Sequence, residues 1–226
     1  VNGVACVVIG TPENTGKSSS DWVITMLHEH FHQYQYTQPD YYSGVDQLDL
    51  SGGDQTGMWQ LNFPFPYEDS KVNNQFQTYK NALINAVSGM DGKKSQKNFE
   101  KFKAEREQFK RMLDPAPYRY FSFQLWQEGL ARYTEYKFLE KLSAYTPSTE
   151  MEELSDYADF KKLKDEFILR EMSVLKNSIL SVNKRVSFYS LGFAEGLLLD
   201  RYNPNWHELY LERKFDTEPY FEELKQ

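Results

Sequence analysis

The sequence predicts an α+β fold that is predominantly α-helical, with a short N-terminal strand or small sheet. Three observations carry that expectation. Gly3 to Gly10 is a β-branched run bounded by glycines, the pattern of a buried or half-buried strand. From Ser70 onward, apolar residues recur at three- and four-residue steps, the period of helices with one buried face. The 226 residues also hold 16 Tyr, 16 Phe and 4 Trp, enough to build a sizeable core despite a low mean hydropathy. No internal repeat, low-complexity tract or linker interrupts the chain, so residues 1–226 read as one domain.

Element by element, strand Val4–Ile9 comes first, with Cys6 a small buried residue within it. Its edge could accept an extended peptide. The Thr11–Ser20 loop follows, and Ser18, Ser19, Ser20 or Asp21 can cap a helix that runs to about Tyr36. Trp22, Ile24, Met26, Leu27 and Phe31 are available to bury it. Pro39 to about Pro66 reads as loop, with Gly52-Gly53-Asp54 a plain turn rather than a calcium loop. Val72, Phe76, Tyr79, Leu83 and Val87 then mark a helix that Gly89 ends. Gln96 to Met112 is a solvated amphipathic helix with Phe99, Phe102 and Phe109 as its stripe. Pro115 and Pro117 punctuate the chain before a helix from Phe121 to Leu142. Helices over Met151 to about Leu180, broken once, and Ser190 to Arg201 come next. Short helical pieces after Pro204 and Pro219 finish the chain.

Charge and composition exclude several classes. The net charge is −7, from 26 basic and 33 acidic residues, so there is no basic excess for nucleic acid. No apolar run approaches the roughly 18–20 residues of a membrane span. A single cysteine, Cys6, excludes an intramolecular disulfide framework and a cysteine-based zinc cluster. The chain begins at Val1 rather than Met, which reads as a processed product or a fragment; the 27 residues before His28 leave room for one strand, so the chain is either a minimal helical core or a piece missing N-terminal strands.

Only four histidines are present, and three stand together in His28-Glu29-His30-Phe31-His32. Residues four apart share a helix face, so His28 and His32 can reach one metal ion. Glu29 lies about 100° round the helix, placed to act on a metal-associated water as general base. His30 points to the other face, in a packing or hydrogen-bonding role. A catalytic zinc normally has three protein ligands. With Cys6 badly placed and His207 distant, the third is sought among carboxylates. Glu128 is the best candidate, since Gly129 and Ala131 after it would let its helix approach the motif helix. Glu195, in a second Glu-Gly pair, competes. For stabilising a tetrahedral oxyanion, Tyr189 and then His207 are the candidates.

His-Glu-x-x-His with Gln35 three residues later, followed by Trp126-x-Glu128-Gly129-x-Ala131-x-Tyr133-x-Glu135, resembles the gluzincin zinc metallopeptidases, which include thermolysin-like and aminopeptidase-N-like enzymes. The resemblance covers two short helical segments. It implies a zincin-like core holding one Zn²⁺ on His28, His32 and Glu128, with Glu29 as base and a peptide or protein as substrate. An extracytoplasmic bacterial location, secreted or periplasmic, goes with that likeness. Thermolysin-like enzymes place an acid four residues after the ligand glutamate; this chain has Arg132 there, and Glu135 is the substitute expected to support a histidine. The amino-terminus-binding Gly-x-Met-Glu-Asn segment of the aminopeptidases has no counterpart before His28. Two other readings use the same residues: a zincin-like scaffold without turnover, and a zinc hydrolase of a non-peptide amide or ester.

Overall fold

Ser18 sets the first long helix of the chain. In the computed structural model, which describes residues 6–222, its side chain accepts from the Asp21 backbone N–H and starts α1, Ser19–Tyr36. The other main helices are α2 (Tyr41–Gln47), α3 (Ser70–Ser88), α4 (Ser95–Met112), α5 (Pro115–Gln124), α6 (Leu130–Leu142), α7 (Phe160–Asn177), α8 (Ser187–Tyr202) and α9 (Trp206–Glu212). A π-helical turn, Leu125–Gly129, joins α5 to α6.

The expected α+β class is wrong. Among the described residues there is no strand and no sheet, and the fold is all-helical. Val4 and Ala5 lie outside the described residues; Cys6 to Gly10 have no regular structure, Cys6 is exposed, and Val8 is 79% exposed. A strand needs a neighbour for its backbone hydrogen bonds. The other described residues offer helical periodicity and no partner strand, so local β-propensity goes unanswered. Trp22 Nε1 fastens the segment instead, donating to the Gly10 carbonyl at 2.7 Å.

Three further boundaries move. The Pro39–Pro66 stretch contains α2 and a single turn at Trp59–Asn62. Pro115 does not stop a helix but opens α5, where a missing N–H costs nothing and the fixed φ suits a first turn. The solvated helix α4 buries Arg106 beside Phe99, Phe102 and Phe109. The Gly52-Gly53-Asp54 segment is a turn, with the Asp54 carboxylate accepting from the Thr56 and Trp59 backbone N–H groups at 2.8 and 2.6 Å.

Helices α3 and α4 form an antiparallel hairpin, and α8 packs across α6 and the π turn. Helix α1 also packs on α6, while α7 covers both α6 and α8. Phe76, Tyr79, Phe109, Phe121 and Phe188 interlock in the aromatic centre of the single core cluster. The π turn and α8 cross in close backbone contact. A Cβ on Gly129 would stand 2.7 Å from the Gly192 Cα, and one on Gly192 would stand 2.5 Å from the Gly129 Cα. Gly129 was expected to admit the motif helix; the helix it admits is α8. Among the described residues, no helix is long and apolar enough to cross a membrane.

Candidate metal centre

Helix α1 buries a face made of Ile24, His28, His32 and Gln35, spaced by four, four and three residues. That face meets α6. Both imidazoles are therefore held away from bulk water, 7% exposed each, with Nε2 atoms 3.0 Å apart. Glu128 comes from the π turn, its Oε2 3.4 Å from His32 Nε2 and 3.8 Å from His28 Nε2. Donors about 2.1 Å from a tetrahedral ion stand about 3.4 Å from one another, so the three atoms form a triangle of the right size for one small divalent cation. These three residues are the group that could hold a metal ion among the described residues. A π turn widens the backbone by one residue and frequently sits at functional positions; here Leu130 N–H bonds back to Leu125 O, and Glu128 projects from the widened segment.

The surrounding groups fix both imidazoles. Gln35 Nε2 donates to Tyr210 OH at 2.7 Å and Gln127 O at 3.0 Å, which orients its amide. Its Oε1 stands 2.6 Å from His32 Nδ1 and accepts from the tautomer that carries its hydrogen there, the one that leaves Nε2 its lone pair for a cation. Gln127, held by the Tyr41 hydroxyl at 2.9 Å, packs against the same Nδ1. On the other ring, Glu135 Oε1 stands 2.6 Å from His28 Nδ1, a charge contact without the alignment of a hydrogen bond. Arg132 holds the far oxygen of Glu135 at 2.9 Å. The structure thus places Glu135 against a histidine, the position that Arg132 had put in doubt.

Burial alone would favour neutral groups here, but the pairings win. Desolvation works against charged His28, yet Glu128 and Glu135 raise its pKa to about 9. Burial likewise opposes ionised Glu128, while His28 and His32 hold it far below the ordinary carboxylate range. A positive charge is wanted at this spot, and a proton supplies it when no metal does.

The triangle opens on a cavity of about 420 Å³ whose walls include Glu29, Thr25, Tyr36, Arg132 and Tyr189. Glu29 is half-buried there, off the ligand face, as its place in the helix requires. Tyr189 reaches the same cavity from α8; burial and Glu128 push its phenol pKa up, so it remains a proton donor. His207 does not reach it. It is exposed on α9, its ring tilted against Trp206 with centroids 4.1 Å apart, beside a separate apolar cavity of about 250 Å³. His30 is exposed and bonded to Gln33. Glu195 is no competitor, being fully buried against Arg106 in another part of the core. Gln127, Tyr41 and Arg185 were not anticipated. Gln127 adjoins Glu128 in sequence, a signal that could have found it; the other two carry none.

No family model, curated protein or solved structure matches the chain.

Proposed function

We propose that the chain is a zinc-dependent peptidase of gluzincin type, with His28, His32 and Glu128 as ligands. The observation that carries this reading is the convergence of three donors, 3.0, 3.4 and 3.8 Å apart, on a cavity that also contains Glu29. Zinc bound there would acidify a water and polarise the scissile carbonyl. Glu29 takes the water's proton during attack and returns it to the leaving amine. Tyr189 donates its hydroxyl hydrogen to the developing oxyanion. Gln35 and Glu135 keep the imidazoles turned toward the ligand position, so no reorientation is needed during turnover. The open cavity beside Glu29 supports turnover over a metal-holding scaffold.

The test is metal content together with cleavage of a mixed library of internally quenched peptides. Wild type should carry one zinc and lose cleavage on chelation, regaining it with added zinc. Glu29→Gln should keep the metal and lose at least about 1000-fold in kcat, as removal of an essential base does. Zinc without peptide cleavage, but with hydrolysis of amide or ester substrates, would move the activity to a non-peptide substrate. Absence of metal in the folded wild type would sink the reading.

Zinc must also displace the proton on His28. That group is raised to about 9, so zinc affinity should climb about tenfold per pH unit from 7 to 9 and level off above. By the same linkage, the metal-free fold draws full stability from this histidine below its ordinary 6.5 and loses it as pH rises through about 9. Competition with a chromogenic chelator across that range reads the slope, and a flat profile contradicts it.

A further inference from the structure

Arg185 stands in the short turn Lys184–Val186 that leads into α8. Its Nη1 donates to the Tyr189 hydroxyl oxygen at 2.7 Å and lies 3.5 Å from Glu128 Oε1. The other Glu128 oxygen, Oε2, is the one that faces His28 and His32. One guanidinium nitrogen therefore touches both the candidate ligand carboxylate and the phenol that lines the cavity. A tyrosine oxygen that accepts from an arginine keeps its own hydrogen to give, and the adjacent charge makes it a stronger donor. The Tyr189 ring is also flanked by two guanidinium groups, with Arg185 Cζ 5.3 Å and Arg132 Cζ 5.7 Å from its centroid. The backbone that delivers Arg185 is strained: Lys184 has φ 47° and ψ −132°, a conformation that side-chain-bearing residues avoid. Such a conformation persists only where its surroundings hold it.

We infer that Arg185 is a positioning residue of this site: it holds Glu128 Oε1 so that Oε2 alone is presented to the metal, and it keeps the Tyr189 hydroxyl at the cavity wall beside Glu128 as a donor. The role rests on the peptidase reading for its catalytic half and on metal binding alone for its other half. Without Arg185, Glu128 is free to rotate or to present both oxygens, and the phenol oxygen loses the donor that holds it in place.

The experiment compares wild type with Arg185→Ala, Arg185→Lys, Tyr189→Phe and the Arg185→Ala/Tyr189→Phe double variant, each first checked by thermal melting. On the quenched peptide library, Arg185→Ala should lower kcat about 100-fold with little change in KM, the size of a lost oxyanion donor. Sub-denaturing guanidinium should restore part of that rate, which a purely structural role would not allow. In the Tyr189→Phe background the same substitution should cost almost nothing further. Chelator competition should show zinc bound about tenfold more weakly by Arg185→Ala, the usual effect of removing a group that orients a ligand. Equal losses of rate in both tyrosine backgrounds overturn the link to Tyr189; unchanged zinc affinity overturns the hold on Glu128. If Arg185→Ala melts below the assay temperature, Arg185→Lys replaces it in both comparisons and is judged by the same outcomes. A wild type that binds zinc but cleaves no peptide defeats the peptidase reading, and the zinc arm then decides the role of Arg185 by itself.

Discussion

Gly192→Ala should lower the unfolding free energy by about 3 kcal/mol, the upper end for inserting a methyl group into a filled site, and should weaken metal binding as well. The added Cβ would meet the Gly129 Cα at 2.5 Å, the Gly129 carbonyl carbon at 3.0 Å and the Leu125 oxygen at 3.2 Å. All three are backbone atoms, so no side chain can swing aside. Relief requires α8 and the π turn to separate. Every part of that movement acts on the residue next to Gly129, which is Glu128. Ligand geometry tolerates shifts of only about 0.2 Å, so a loss of at least tenfold in zinc affinity should accompany the loss of stability. Denaturant melts and chelator competition on the same preparation read the two effects. A variant that is destabilised yet binds metal as wild type does would show that the glycine pair serves packing alone.

That coupling was half legible in the sequence. The histidine pair could be read because four-residue spacing on a helix fixes a shared face whatever the tertiary structure. Glu128 could be read because histidine and cysteine are too scarce to complete a ligand set. The small residues after Glu128 signalled a close helix approach, but a glycine in a sequence does not name the element that fills its space. The π turn left no mark, since widening a helix by one residue alters neither composition nor apolar period. Arg185 was silent for another reason: it meets Glu128 from 57 residues away, through a strained turn that no local pattern encodes. His207 drew attention only because histidines are few, and an aromatic neighbour, Trp206, claims it. The N-terminal run shows the opposite failure. Its local propensity for strand was real, but pairing is a property of two segments and the described residues supply no second one.

Glu195→Ala should cost about 3–5 kcal/mol, the penalty for leaving a buried charge without its partner, while leaving metal content at one per chain. Its carboxylate is wholly buried and accepts from Arg106 Nε at 2.9 Å, from Thr217 Oγ1 at 3.1 Å, and from the Tyr79 hydroxyl. Arg106 in turn donates through Nη2 to Thr217 at 2.8 Å and is only 6% exposed. The network ties α3, α4 and α8 to the segment before the last turn of the chain. Removing the acid strands a guanidinium that can neither reach water nor lose its proton. For a chain of this size the loss should lower Tm by about 10 °C. Arg106→Met combined with Glu195→Leu should recover most of that, because an apolar pair of similar volume removes both desolvation costs. The two Glu-Gly pairs, alike in sequence, are thereby separated by experiment: substitution at Glu128 should empty the metal site, whereas substitution at Glu195 should loosen the fold around a site that still fills. Loss of metal from a still-folded Glu195→Ala protein would reverse the assignment.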